Sequence, residues 1–377
     1  AAVAAMPDGP ARERALDHLY QGQSNDCYWH GLFGGIYISH MRLATYEHLI
    51  AAEDLAETAN GSLEAVELRD LDMDGVDEVR LATEGQVVTV DLDGGAGIGA
   101  WDIRPVRHAL TAVMRRRPEA YHEALRAHPD APVGDLVAAP SDGPASIHDT
   151  FRVKEPGLVE HLVYDASERR SGLVRALALE ASAKDWAMAR ATELGDAVDG
   201  AYTLVDLRPG CLVIRRDATI ADARVQVIKT LTLGGNRRAP TLSLEVALDH
   251  QDGPPIEARI GVEWSMTMLG GGGNPAAWWD LRGERTAHDR AGSATDLSTI
   301  VQGNDDIGIS VTTTTSAADA WWAPIETVSN SENGFERVYQ GAGLLLSWPT
   351  RLEPGRRWTR TITQVIATSR DRALEGS

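Results

Sequence analysis

The chain has 377 residues, with 36 basic against 55 acidic side chains for a formal net charge of −19, and is 43% hydrophobic and 24% charged. That composition excludes a wholly disordered chain, and the acidic excess argues against unspecific nucleic-acid binding, which needs clustered Lys and Arg. No apolar stretch approaches the roughly 20 residues of a membrane-spanning helix, and the length allows two or three domains with sizeable cores.

The chain opens Ala1-Ala2-Val3-Ala4-Ala5 with its first Met at position 6. No basic stretch precedes an apolar run there, so a secretory signal is not expected, and a start without Met predicts the later part of a longer polypeptide. Helical spacing then runs from residue 12 to about 57, with Leu16, Leu19 and Tyr20 on one face and Ile36, His40, Leu43, Ala44 and Ile50 following the glycines of 31–35. Asn60-Gly61 ends it. Short runs at 65–68, 78–81 and 86–92 read as strands. Residues 106–127 read as a helical interlude, with Leu110, Val113 and Met114 on one face and Pro118 starting a second helix. The four prolines of 129–144 read as a surface connection.

From 159 onward strand signals dominate, at 202–207, 211–216, 225–233, 241–248, 257–268, 307–315, 343–348 and 357–367. Many short strands with Gly and Pro between them predict a mainly β fold. The expected organisation is a helical segment over 1–60 and a large antiparallel β-sandwich over 61–377. Cys27 and Cys211 stand far apart and form no metal-ligand or disulfide pattern, which favours a reducing, cytoplasmic location.

Four features could carry chemistry. The first is Gln23-Ser24-Asn25-Asp26-Cys27-Tyr28-Trp29-His30-Gly31-Leu32-Phe33-Gly34-Gly35. A carboxylate accepts hydrogen bonds from sugar hydroxyls and an indole lies on the apolar face of a pyranose ring, so Asp26 and Trp29 fit a sugar site. The plainer reading is a helix–helix corner with Trp29 in the core and Asp26 capping a helix. The second is Asp70-x-Asp72-x-Asp74-Gly75-x-Asp77-Glu78, alternating acids around a tight turn that could hold Ca²⁺ through Asp70, Asp72, Asp74 and Asp77. The EF-hand template fails at its twelfth place, Leu81, and strands flank the turn. Residues 51–100 carry 13 acids and 2 bases, 2 − 13 = −11, a concentration that a cation would relieve. A solvated turn of Asx-type hydrogen bonds is the alternative.

The third feature is the ten tryptophans, with doublets at Trp278-Trp279 and Trp321-Trp322. On a strand one member of each points in and the other out, which would suit sugar stacking, although burial in a core or interface is the preferred reading. The fourth, Gly270-Gly271-Gly272-Gly273-Asn274, meets neither a P-loop nor a dinucleotide fingerprint and reads as a flexible loop.

The block Asn25-Asp26-Cys27-Tyr28-Trp29-His30-Gly31-Leu32-Phe33-Gly34-Gly35-Ile36-Tyr37 closely resembles the last recurring block of glycoside hydrolase family 57, its 4-α-glucanotransferases and α-amylases above all. Asp70-Leu71-Asp72-Met73-Asp74-Gly75-Val76-Asp77-Glu78-Val79, Ser146-Ile147-His148-Asp149-Thr150-Phe151, Tyr164-Asp165, Glu326-Thr327-Val328-Ser329-Asn330-Ser331-Glu332 and Tyr339-Gln340-Gly341 look like the region that follows it, in the same order. The resemblance implies a galactose-mutarotase-like sandwich. It also implies a β/α barrel that supplies a Glu nucleophile and an Asp acid/base, neither of them expected in this chain. It makes Asp26 and Trp29 cleft residues with His30 their neighbour. Within the chain, Glu326 with Glu332 or His148 with Asp149 are the alternative acid/base pairs.

The implied function is the C-terminal part of an α-1,4-glucan-processing enzyme; the alternative is a stand-alone carbohydrate-binding or scaffold protein. The expected partners are an α-1,4-glucan or maltooligosaccharide and the catalytic barrel, with a second copy of the chain as a further candidate. No cofactor is expected beyond the candidate Ca²⁺.

Overall fold

Two antiparallel helices come first. Helix α1 (Pro10–Gly22) opens on a proline, whose missing N–H is no loss in a first turn. Helix α2 (Ser39–Asn60) stops where Gly61 turns to φ +68° and the Ser62 N–H reaches back to the Glu57 carbonyl at 2.9 Å. Ala15, Ala52 and Ala56 let the helices close on Val3 and Met6. The computed structural model describes residues 2–30, 34–134, 137–138, 150–331 and 334–373. Among the described residues no helix is long and apolar enough to cross a membrane.

Next comes an antiparallel meander of β1 (Ala65–Arg69), β2 (Glu78–Ala82), β3 (Gln86–Asp91), β4 (Ile98–Ile103) and β5 (His108–Ala109). The helical interlude expected at 106–127 is a correction. Only α3 (His122–Ala127) is helical there. The Leu110 N–H donates to the Trp101 carbonyl at 2.8 Å and its own carbonyl accepts from Thr267 at 2.8 Å, while the Arg116 N–H donates to Asp165 at 2.9 Å. These tertiary partners hold the backbone extended in spite of the helical spacing of Leu110, Val113 and Met114.

A short ribbon, β6 (Val137–Ala138) with β7 (Thr150–Phe151), leads to the large sheet system. Its strands are β8 (Leu173–Leu177), β9 (Thr203–Arg208), β10 (Cys211–Ile220), β11 (Ala223–Asn236), β12 (Ala239–Asp252) and β13 (Ile256–Met266). They continue with β14 (Ala277–Leu281), β15 (Glu284–Ala287), β16 (Gly292–Asn304), β17 (Ile309–Ser331), β18 (Gly334–Leu352) and β19 (Arg357–Thr368). The order β15-β14-β16-β17-β19-β12-β11-β10-β9 is antiparallel throughout. The long β17 branches it: its first residues pair with β19, while 319–331 pair with β18, which carries β13 and β8 as a further layer. Helix α4 (Ala183–Ala187), started by Ser182 accepting from the Asp185 N–H, packs on β17. The result is the mainly β, antiparallel sandwich that the strand pattern predicts.

One apolar core runs from the meander (Val79, Leu81, Trp101) into the sandwich (Leu212, Leu231, Leu242, Trp264). All four doublet tryptophans are buried. This is the burial preferred for them, and the outward-facing alternative falls because both faces are covered at the doublets: Trp321 packs with Trp186 and Leu345, Trp322 with Trp279. A buried lysine ties the layers, with Lys229 Nζ on β11 donating to the carbonyls of Gly95, Ala96 and Gly172 at 2.6, 3.0 and 2.8 Å. Helix α2 docks through charge, its Glu57 taking both Arg80 and Arg104 and its Asp54 taking Arg237 at 2.7 Å.

Candidate functional site

The segment between α1 and α2 is built around one glycine. After a turn at Asn25–Cys27, with Cys27 buried and the Tyr28 hydroxyl on the Gly22 carbonyl at 2.7 Å, the chain returns so that the Ile36 N–H donates to the Trp29 carbonyl at 3.0 Å. Gly35 sits inside this closure at φ +50°. A methyl group there would overlap the Trp29 carbonyl and lie 3.3 Å from that of Asp26, so both residues' backbones converge on it. With its backbone so fixed, Trp29 remains 55% exposed. Asp26 and His30 are exposed as well.

The sandwich holds the far side of this loop. Gln340 of β18 donates through Nε2 to the Tyr37 carbonyl at 2.8 Å and to Thr327 at 2.9 Å, and its Oε1 accepts from Arg42 Nη2 at 2.8 Å. Arg42 also bonds the Ile36 carbonyl and, at 3.0 Å, that of Ala112. Burial lowers the Arg42 pKa, and these oxygens offset the cost of its charge. The His30 ring stacks on Tyr121 with centroids 5.3 Å apart and meets the Tyr37 ring edge-on at 5.5 Å. Burial, with a hydrogen bond to Glu119, pushes the Tyr37 hydroxyl well above its ordinary value, so it stays a neutral donor. His122 continues the chain of contacts: Nδ1 accepts from the Glu119 N–H at 3.1 Å, and Nε2 meets the Val328 carbonyl at 2.9 Å. The described residues thus place an exposed indole and an exposed carboxylate beside the Ile36–Trp29 closure.

The other predicted residues fare unequally. In the acidic turn, carboxylate oxygens of Asp70 and Asp72 lie within 4.8 Å of each other and of Glu78, which stood in the motif but not among its expected ligands, while Asp74 and Asp77 stay outside that group. Glu326 is paired with Arg337 at 3.1 Å. Glu332, His148 and Asp149 lie outside the described residues.

Residues 70–362 match the family described as Alpha-amylase/4-alpha-glucanotransferase, C-terminal, and residues 2–56 match its middle domain. The chain belongs to this family. Alpha-amylase 1 of Dictyoglomus thermophilum is 29% identical over 369 residues, 94% of this chain and 49% of that protein. The 4-alpha-glucanotransferase of Thermococcus kodakarensis is 28% identical over 344 residues, 90% and 46% of the two chains. The crystal structure of 4-alpha-glucanotransferase from Thermococcus litoralis superposes with a TM-score of 0.71 at 21% identity, covering 94% of this chain and 48% of that one. The amylase/glucanotransferase-family chain described here thus spans about half the length of the relatives it matches.

Sequence reasoning missed how this family chain fixes its loop. Gln340 stood in a quoted block, but its partners Tyr37 and Arg42 lie about 300 positions away. It also missed a cleft of about 240 Å³ lined by Asp165, Arg169, Arg175, Trp186, Glu193 and Glu263. There Glu263 takes Arg169 at 2.8 Å, Arg175 at 2.5 Å and the Trp186 Nε1–H at 2.9 Å. Burial alone would raise the Asp165 carboxyl, but Arg169 and Arg116 outweigh it and hold it well below the usual carboxylate range. These carboxylates are neutralised in place, which makes the cleft a braced wall.

Proposed function

We propose that this chain serves in α-1,4-glucan processing, with Trp29 and Asp26 holding a glucan strand on the locked loop. The observation that carries this is the state of the tryptophans: of the ten in the chain, nine are buried and Trp29 alone is exposed. An exposed indole on a fixed backbone loses little entropy when a sugar ring stacks on it, and Asp26 offers acceptors to the ring hydroxyls. Family membership supports α-glucan as the sugar.

The reaction assigned to the whole enzyme is retaining transfer or hydrolysis. One carboxylate attacks the anomeric carbon while a second carboxyl group protonates the departing glucan oxygen. The glycosyl ester is then opened by water or by an acceptor hydroxyl, the second group now taking the proton. Such a pair stands about 5–5.5 Å apart. Asp26 has no second acid among its described partners, so we assign it to orienting the sugar, and the pair to carboxylates outside this chain.

The test uses the exposed indole itself. Maltooligosaccharide should shift Trp29 emission to the blue and shield it from acrylamide, Trp29→Ala should remove the response, and Asp26→Asn should weaken binding by about tenfold, or 1.4 kcal/mol. An emission spectrum and quenching constant unmoved by the sugar would overturn the reading.

A further inference from the structure

The hairpin between β1 and β2 carries Asp70, Asp72, Asp74, Asp77 and Glu78 within nine positions. Most of its hydrogen bonding is that of an Asx-type turn. Asp70 accepts the Met73 and Gly75 N–H groups at 2.7 and 3.2 Å, Asp72 accepts Asp74 at 3.2 Å, and Asp74 accepts Val76 at 2.8 Å. A solvated turn accounts for those three residues. It does not account for Glu78.

Glu78 is the first residue of β2, and only 5% of it is accessible. Its Oε2 accepts the Leu71 N–H at 2.6 Å, while its Oε1 is buried without any partner. The carboxylate is grouped with those of Asp70 and Asp72 within 4.8 Å. Among the described residues none of the five acids is paired with Lys or Arg, and Arg80, two positions on, is spent on Glu53, Glu57 and Glu67. A carboxylate with one dry, unpartnered oxygen, gathered with two further carboxylates, lacks a positive partner.

We infer that Asp70, Asp72 and Glu78 bind a calcium ion, and that Glu78, reaching in from the strand, takes the place an EF-hand gives to its twelfth residue. The donor set is all oxygen, with neither His nor Cys, which selects a hard cation. Three carboxylates offer up to six oxygens, and one that already accepts an N–H keeps a lone pair for the ion. Ca²⁺ tolerates such irregular sets of six to eight oxygens, whereas Mg²⁺ demands a near-ideal octahedron and keeps its water. The failure of the EF-hand template at Leu81 is thereby explained, since the hairpin brings the closing glutamate in three positions earlier. Asp77, exposed and outside the group, is released from the role the motif gave it. The inference is independent of the glucan reading.

The test is calorimetric titration of the protein with calcium chloride, with thermal melting in millimolar calcium, in equal magnesium and in chelator. One calcium per chain and a melting temperature that rises with calcium but not with magnesium are expected. Glu78→Gln and Asp72→Asn should each weaken calcium binding at least tenfold. In chelator, Glu78→Gln should melt at or above the wild-type temperature, because it removes uncompensated charge; a merely structural Glu78 would give a lower one. Should Glu78→Gln not fold, the inference is wrong about that charge, and exposed Asp72→Asn still reports on binding. No calcium heat, an equal response to magnesium, or unchanged affinity in both variants would each overturn it.

Discussion

Gly35 shows how much can hang on one missing methyl group. Its φ of +50° costs a non-glycine residue about 1–2 kcal/mol, and the space a side chain would fill belongs to the Trp29 carbonyl. Gly35→Ala should therefore open the Ile36–Trp29 closure. We expect it to weaken maltooligosaccharide binding at least about tenfold and to lower stability by at least about 1–2 kcal/mol. Parallel titration and denaturant curves check this, and unchanged affinity would show that the loop's geometry does not matter for the sugar. The exposed face of Trp29 was only one of two readings of the sequence, because spacing alone does not distinguish an indole in a helix corner from one on a surface. Glu78 stood at the end of the acidic motif but outside its expected ligands, because spacing favours the alternating aspartates and only the turn's geometry decides which acid comes back to meet them.

At the scale of elements, what matters is the grip of β18 on the segment ahead of α2. Gln340 fills three polar demands at once, those of Arg42, Tyr37 and Thr327. Replacing it with Leu leaves a buried guanidinium and a carbonyl short of partners, a loss of about 2–4 kcal/mol. If the sandwich positions the loop, Gln340→Leu should also make Trp29 more open to acrylamide; equal quenching would reduce the contact to plain stability. The strands of the sandwich were legible because Val, Ile, Leu and Thr alternate along them, as in β10 and β11. Strand β17 was not: its second half, through Asp319-Ala320-Trp321-Trp322, is covered on both faces and so loses the alternation that marks a strand. The false helix at 106–127 is the mirror error, helical spacing without helical hydrogen bonds.

For the molecule as a whole, buried ionisable groups set the response to acid. His108 and His288 are both pushed down to about 4 by burial, His108 against the Thr267 carbonyl and His288 between Tyr339, Gln302 and Trp279. Their folded values lie below the unfolded value of about 6.5. As pH falls the unfolded chain takes up these protons first, so their contribution is whole above about pH 6.5 and is lost on the way to 4, roughly 3 kcal/mol for each. Asp102, raised to about 7 by burial, acts with the opposite sign over that range, so the clean test is a difference. Stability of His288→Gln should fall less than wild type between pH 7 and 4.5 by denaturant titration; parallel curves would refute the assignment. The fold class was readable from strand count, but the charged cleft was not, because the pairing of β8 with β13 brings Arg175 to Glu263, and Asp165 and Glu193 join them through Arg169 and Arg175. Lys229 has a consequence of another kind. The chain has three lysines, and the three carbonyls around Nζ withdraw this one from solvent, leaving Lys154 and Lys184 as the only side-chain amines on the outside. A reagent that couples to amines should thus find two lysines on the folded protein, and the third answers only when the layers of the sandwich part.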